Sequence, residues 1–302
     1  MGEGRRRMGA RRRDHPNARV LLFAAPAFAV FAAIKLLPAL LGLGYSMTNW
    51  NGISPEYRFV GFDNFVELFT RDDEFWNALR FTLRYGVWIV LLTNVCALGL
   101  ALAIESLKRG KGLFRTVFYL PNMISMIIGG YMWSFVFTQV VYHFVDEWGW
   151  SFLDHSWIGD PSFSFIAILI VALWGGTGYI MVIYVAALQS VPKMLYEAAA
   201  IDGAGAVRRF FSVTLPSIRQ AFTICVFITL NNAFQVFDVV YALTGGGPGR
   251  STQVVAINIY EEAFGRSFRF GYATAKSTVL FIALLLVTAV QLSLMKRREE
   301  EA

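Results

Sequence analysis

Six long stretches of the chain carry almost no charge: Val20–Tyr45, Thr82–Ile104, Val117–Phe137, Phe163–Leu188, Ile218–Leu243 and Thr278–Met295. Crossing a hydrocarbon core as a helix takes about 20 mostly apolar residues. The pattern therefore predicts an all-α membrane protein with six transmembrane helices. Barrel strands would alternate polar and apolar positions, whereas these runs are continuous. Lys35 interrupts the first run about 22 Å along a helix from Val20, close enough to an interface to snorkel there.

Composition agrees, with 56% of 302 residues hydrophobic and 16% charged. Soluble domains carry roughly 25% charged residues. Cys96 and Cys225 both fall inside apolar runs, which implies no disulfide framework. Charge then orients the spans, because Lys and Arg collect in short cytosolic loops. Arginines crowd the segment before the first span. Lys108, Arg109, Lys111 and Arg115 lie between the second and third, and Lys193, Arg208 and Arg209 between the fourth and fifth. Lys296, Arg297 and Arg298 follow the sixth. All fall on one side, so both termini are expected in the cytosol. The segment from Thr138 to Ser162 has carboxylates and no Lys or Arg, as an outside loop should. Arg250, Arg266, Arg269 and Lys276 in the last outside loop run against the rule. The basic N-terminal arm has no interleaved aromatics, which favours anionic lipid over nucleic acid as its neighbour. The apolar run behind it exceeds the roughly 7–15 residues of a signal-peptide core.

The segment from Gln189 to Pro216 differs in kind. Pro192 suits the first turn of a short helix, on which Met194, Ala198 and Ile201 share one face. Asp202-Gly203 ends that helix, with Gly203 able to take the left-handed conformation. A second short helix from about Ala206 brings Phe210 and Val213 to one side, and Pro216 precedes the next span. Small side chains at Ala198, Ala199 and Ala200 allow close backbone approach, which fits a surface that docks into a partner's groove. An amphipathic linker at the membrane surface would have the same composition.

Polar side chains inside a span are costly unless they face protein or water. The fifth run carries Asn231, Gln235 and Asp238 at helical spacing, predicting one polar face, with Asn232 turned about 100° away. Two readings fit. Amides and a carboxylate exchange hydrogen bonds with sugar hydroxyls, while Phe234, Phe237 and Tyr241 stack on sugar rings. Alternatively they form interhelical hydrogen bonds, worth about 0.6 kcal/mol each on average. The run has no basic residue near these positions, which leans toward a neutral solute. Trp174–Tyr179 (WGGTGY) predicts tight helix crossing. Asn94 and Asn122 are isolated polar positions, the latter beside Pro121, where freed backbone groups need partners.

The spacing Glu197-Ala198-Ala199, three residues, Gly203, nine residues, then Val213-Thr214-Leu215-Pro216 resembles the EAA loop of permease subunits from bacterial binding-protein-dependent ABC importers. Val213 stands where isoleucine is usual. Ser46–Gly52 (SMTNWNG), Phe59–Phe69 (FVGFDNFVELF), Phe75–Leu83 (FWNALRFTL), Phe114–Ser125 (FRTVFYLPNMIS) and Leu243–Gln253 (LTGGGPGRSTQ) are similar to the carbohydrate branch. They look most like its first permease subunit, of the maltose, lactose and glycerol-3-phosphate type. The maltose subunit has extra helices and a large outside domain, so the shorter six-helix members are the better comparison.

The resemblance implies a type I ABC importer permease: a cytosolic arm at 1–17, a six-helix domain at 18–295 with its cytosolic coupling helix in the loop 189–216, and a cytosolic tail at 296–302. It places the chain as a multi-pass protein in the cell membrane of a bacterium or archaeon. Its partners would be a second permease, two ATPase subunits and an extracytoplasmic substrate-binding protein, and its cargo a carbohydrate. Glu197, Ala198, Ala199, Asp202 and Gly203 would contact the ATPase, with Leu215 and Pro216 closing the motif. Asn231, Asn232, Gln235, Asp238 and Tyr241 are the candidate path residues, and the glycine-rich loop Thr244–Thr252 would touch the binding protein. A glycerol-3-phosphate or polyol importer is one alternative. An ion-coupled secondary transporter is another, although no repeat relates the two halves.

Other chemistry is thinly supplied. No G-x-x-x-x-G-K-[ST] stretch occurs, so ATP and Mg are expected on the partner ATPase and no cofactor on this chain. No G-x-S-x-G serine occurs either. His143, His155, Asp146 and Asp154 share an outside loop without zinc-site spacing, and His15 lies in the basic arm. The expectation is a non-catalytic transport subunit with no metal site.

Overall fold

The computed structural model of the chain describes residues 16–150, 153–265 and 267–299. The N-terminal arm through His15, Arg266 and the last residues of the tail lie outside that range. Helices make up the regular structure; among the described residues the only β pairing is one antiparallel bridge between Thr48 and Phe59. Four helices are long and apolar enough to cross a membrane unbroken: Ala24–Tyr45, Asp73–Ser106, Pro161–Ser190 and Phe270–Gln291. Two bent pairs complete six, Lys111–Met123 with Met126–Trp148 at 93° and Ala206–Ser217 with Arg219–Phe234 at 73°.

The first span consists of α1 (Pro16–Phe31), a π turn and α2 (Leu37–Tyr45), with Lys35 exposed in the π turn. A short amphipathic helix, α3 (Asp63–Arg71), leads to α4 (Asp73–Ser106), whose first turn is capped by Asp72 accepting from the Phe75 amide at 2.8 Å. Asp160 caps α8 (Pro161–Ser190) in the same way. Such caps satisfy amides that have no partner within the helix.

Helices α4 and α8 pack along their length and form the centre of the bundle. Toward one end Phe81 and Phe165 meet edge to face at 5.7 Å between ring centroids. Toward the other, Ala97 and Ala101, both fully buried, let α8 approach closely. Lipid gives helices no hydrophobic reason to associate, so this close packing, with interhelical hydrogen bonds, holds the bundle. One such network sits in the middle: Tyr184 donates to Asn94 Oδ1 at 2.6 Å, and Asn94 Nδ2 donates to Thr229 Oγ1 at 3.0 Å. Asn94 is therefore a packing residue joining α4, α8 and α12 (Arg219–Phe234).

Two expected spans are not straight. The third run was expected as one helix over Val117–Phe137; instead α5 (Lys111–Tyr119) and a 3-10 turn end at Met123, and α6 (Met126–Phe135) starts in a new direction. The cause is tertiary. Gly178 on α8 has no side chain, and a Cβ there would lie about 2.0 Å from the Phe118 carbonyl oxygen. The backbone of α5 thus sits directly on α8 and then turns away. The helix resumes beyond a π turn as α7 (Val141–Trp148), so much of the expected outside loop is helical. The fifth run, expected as one helix over Ile218–Leu243, ends at Phe234. Gln235–Phe237 are non-helical, and α13 (Asp238–Leu243) follows.

Of the cations that offend the charge rule, Arg250, Arg269 and Lys276 are paired, while Arg266 lies outside the described residues. Lys276 on α15 (Phe270–Glu299) is 1% exposed; its Nζ lies 2.8 Å from Asp72, 2.8 Å from Glu262 and 2.9 Å from Asn258 Oδ1. Glu262 and Asn258 belong to α14 (Val255–Phe264), so one ammonium joins three elements. The Tyr272 hydroxyl donates to Asp72 at 2.8 Å. Arg269 forks onto Glu67 of α3 at 2.8 and 2.6 Å, and Arg250 pairs with Glu74. Burial raises the Asp72 carboxyl, but hydrogen bonds from Lys276, the Phe75 amide and Tyr272 outweigh it and hold its pKa below the ordinary aspartate value. A lowered carboxylate pKa adds stability above the unfolded value and loses it as pH falls through the folded one. Replacing Lys276 by methionine strips Asp72 of its cation and leaves Glu262 only Arg269, at 3.7 Å, and is expected to cost about 3–5 kcal/mol. Thermal unfolding in detergent checks this; an unchanged transition would remove Lys276 from the packing of this end.

Candidate functional site

A cavity of about 330 Å³ opens where the fifth span breaks. Asn232, Gln235 and Asp238 reach it from the break, and Asn122 reaches it from the kink in the third. None of Asn232, Gln235 and Asp238 makes a side-chain hydrogen bond to another described residue, and each is exposed. Their hydrogen-bonding capacity is free for water or a guest. Phe237 lines one wall, and Tyr85, Tyr179 and Thr229 add hydroxyl-bearing side chains. Asp238 is the only formally charged side chain among the lining residues; no Lys, Arg or His is there.

The break redistributes the expected polar face. A continuous helix would align Asn231 with Gln235 and Asp238 and turn Asn232 aside. With the helix ending at Phe234, Asn232 joins the cavity, while Asn231 folds back toward the Phe227 carbonyl at 3.4 Å. Tyr241 also lies off the cavity, stacked on Phe237 at 5.1 Å and 14°. Asn122, an isolated polar position beside Pro121 in the sequence, does line the cavity, whereas Tyr179 and Thr229 were not anticipated.

WGGTGY is a packing device, as its small residues imply. Besides Gly178 against α5, a Cβ on Gly175 would press Met126, and Asn122 Nδ2 donates to the Gly175 carbonyl at 3.3 Å. These contacts hold the kinked third span beside the cavity.

The loop between the fourth and fifth spans is a helical hairpin. Pro192 is the N-cap of α9 (Lys193–Ile201) rather than part of its first turn, and Asp202 caps the other end. Gly203 has φ +72°, and the Ala204 amide returns to the Ala199 carbonyl at 2.9 Å, closing the helix. The return arm is α10 (Ala206–Arg209), a π turn over Phe210–Thr214 and α11 (Leu215–Ser217). Tyr196 and Thr214 join the two arms hydroxyl to hydroxyl at 3.2 Å, and Val191 and Ile218 are buried at the hairpin's base. Glu197, Ala198, Asp202, Gly203 and Pro216 are exposed, with Ala199 and Leu215 half-buried. Met194, Ile201, Val207 and Phe211 are exposed as well. Sequence reasoning missed Glu105, which receives Lys111 and Arg115 and, at 3.1 Å, Gln189 at the hairpin's start.

Of the loop histidines, His143 faces Glu147 at 3.2 Å on α7, and His155 stacks on Phe163. No cluster of potential metal ligands occurs among the described residues.

A helical bundle whose third and fifth spans break around an unsatisfied polar cavity, with a structured hairpin at one end, is the architecture of a membrane permease. Residues 96–299 match the family described as "Binding-protein-dependent transport system inner membrane component", and the chain belongs to it. It is 38% identical, over 93% of its length and 94% of the other, to the probable starch degradation products transport system permease protein AmyD of Thermoanaerobacterium thermosulfurigenes. It is 31% identical to the sn-glycerol-3-phosphate transport system permease protein UgpA of Escherichia coli O6:K15:H31, over 89% of this chain and 91% of that one. Its fold is similar to a chain of a bacterial ABC transporter for the acidic polysaccharide alginate, with a TM-score of 0.78 at 24% identity, covering 93% and 96% of the two chains. The chain is thus a multi-pass membrane permease.

Two glycines offer a direct check of the packing. Gly178→Val is expected to abolish accumulation of folded protein, whereas Gly176→Ala, with nothing within 4 Å of its Cβ position, is tolerated. Membrane levels and detergent gel-filtration profiles compare the two, and a well-folded Gly178→Val would refute the close approach.

Proposed function

We propose that this chain is one of two unlike permease subunits of an ATP-driven importer for a neutral carbohydrate. The observation that carries the reading is the cavity at the broken fifth span. Asn232, Gln235 and Asp238 hold free donors and acceptors there, and Phe237 supplies a flat apolar face, the combination that suits a polyhydroxylated ring. A phosphorylated or uronic solute would bring negative charge to a lining whose one charge is already negative. This favours a cargo like that in the name of AmyD over glycerol-3-phosphate or a polyuronate.

In this reading a separate ATPase dimer grips the hairpin, and this chain holds neither ATP nor Mg and performs no catalysis. The hairpin's exposed apolar residues and the small side chains of Ala198 and Ala199 suit a groove, and Glu197 and Asp202 present charge at its rim. The hydroxyl link from Tyr196 to Thr214 and the buried base make it move with the spans. The hairpin and both termini then face the cytosol, as the arginine distribution predicts, and a binding protein delivers the sugar to the opposite end, near the glycine-rich loop.

Reconstituted complex with its binding protein, assayed with labelled glucose, maltose, maltotriose and sn-glycerol-3-phosphate, tests the cargo. Uptake of a neutral sugar is expected; uptake of the phosphate alone would overturn the reading. Asn232→Ala or Gln235→Ala is expected to lower uptake about tenfold, in line with one or two hydrogen bonds lost, while Asn231→Ala has the smaller effect. Glu197→Lys and Gly203→Val are expected to abolish uptake while leaving membrane insertion intact. At Gly203 the added Cβ meets no atom within 4 Å, so the damage comes from the left-handed backbone alone. Normal uptake by both variants would deny the hairpin its coupling role.

A further inference from the structure

Aromatic rings continue from the cavity to the end of the molecule opposite the hairpin. Phe237, in the cavity wall, lies 5.6 Å from Tyr260 on α14. Tyr260 lies 5.7 Å from Phe264, Phe264 lies 5.9 Å from Phe270, and Phe270 lies 5.1 Å from Trp50. Tyr241 stands beside the first step, 6.0 Å from Tyr260. Although each ring touches the next, Tyr241, Tyr260 and Phe264 remain 39%, 41% and 60% exposed. They keep open surface beyond these mutual contacts rather than being buried in a core.

We propose that this row is a sugar-binding track along which a glycan passes ring by ring into the cavity. The proposal rests on the carbohydrate reading above and goes further: it assigns binding residues outside the cavity and favours a cargo of more than one sugar ring. One face of a pyranose is a patch of C–H bonds with slight positive charge, which complements the negative face of an aromatic ring. An aliphatic side chain of equal size offers no such face. A row at nearly constant spacing holds a chain of rings without a deep minimum at any one step, which suits passage better than capture. Its continuity with the cavity through Phe237, which belongs to both, selects the cargo as occupant. An interfacial aromatic belt would not need to end in a polar cavity.

The test uses the complete complex, with its binding protein, in proteoliposomes and labelled maltotriose. Tyr260→Leu combined with Phe264→Leu keeps apolar bulk and removes two flat faces. Sugar moved per ATP hydrolysed is expected to fall about tenfold, the effect of losing two aromatic contacts, and Tyr260→Phe is expected to retain it. Unchanged sugar per ATP in the double variant would overturn the track while leaving the carbohydrate reading in place. Loss of the second permease on co-purification would assign the row to the subunit interface and also overturn the track. A wild-type complex that moves none of the neutral sugars would overturn the carbohydrate reading and the track together.

Discussion

Inside a bilayer a backbone amide or carbonyl has no water to turn to, and each one left unpaired costs several kcal/mol. That constraint decides where this chain can depart from a helix. Both mid-bundle departures, at Ile124–Ser125 and at Gln235–Phe237, flank one cavity. The polar side chains of Asn122, Asn232 and Gln235 sit at the same places, where backbone groups leave their helical partners. The broken backbone and the polar lining therefore have one cause: an interruption of the helix is tolerated only where it borders a polar space.

Close approach fixes the geometry of that space. Gly178 and Gly175 let the end of α5 and the start of α6 sit against α8, and Gly130 on α6 does the same for α13, where an added Cβ would lie about 2.6 Å from that of Ala242. At Gly178 and Gly130 the cavity walls are thus held by contacts too tight for a side chain, while at Gly175 the flexible end of Met126 fills the space. Around them the Asn94, Tyr184 and Thr229 network joins α4, α8 and α12.

Much of this was legible in the sequence, and the exceptions have physical reasons. Continuous hydropathy located the four unbroken spans, because a straight spanning helix, whether it faces lipid or the bundle centre, needs only sustained apolar length. The hairpin was legible because Asp202-Gly203 and Pro192 punctuate it locally. At the third-span break Pro121 marked the place, but the contact that turns α5 lies some sixty residues away in sequence. The fifth-span break was not legible, since Gln235–Phe237 contains no glycine or proline. A periodicity argument that assumed a helix through Asp238 therefore put Asn231 on the polar face and turned Asn232 aside, although both stood as candidate path residues. The charge rule likewise counts cations and not their partners, so Arg250, Arg269 and Lys276 looked misplaced although each has a carboxylate beside it.

That pairing has an electrical side. A unit charge moved through the full membrane potential does about 2.3 kcal/mol of work per 100 mV. Lys276 is held against Asp72 and Glu262, and Arg269 against Glu67, so any rocking of this end carries anion and cation together. The two cations offset two of the three carboxylates, so displacements there carry less charge across the field than the carboxylates alone would. The voltage of the cell then does correspondingly less work on any movement of this end.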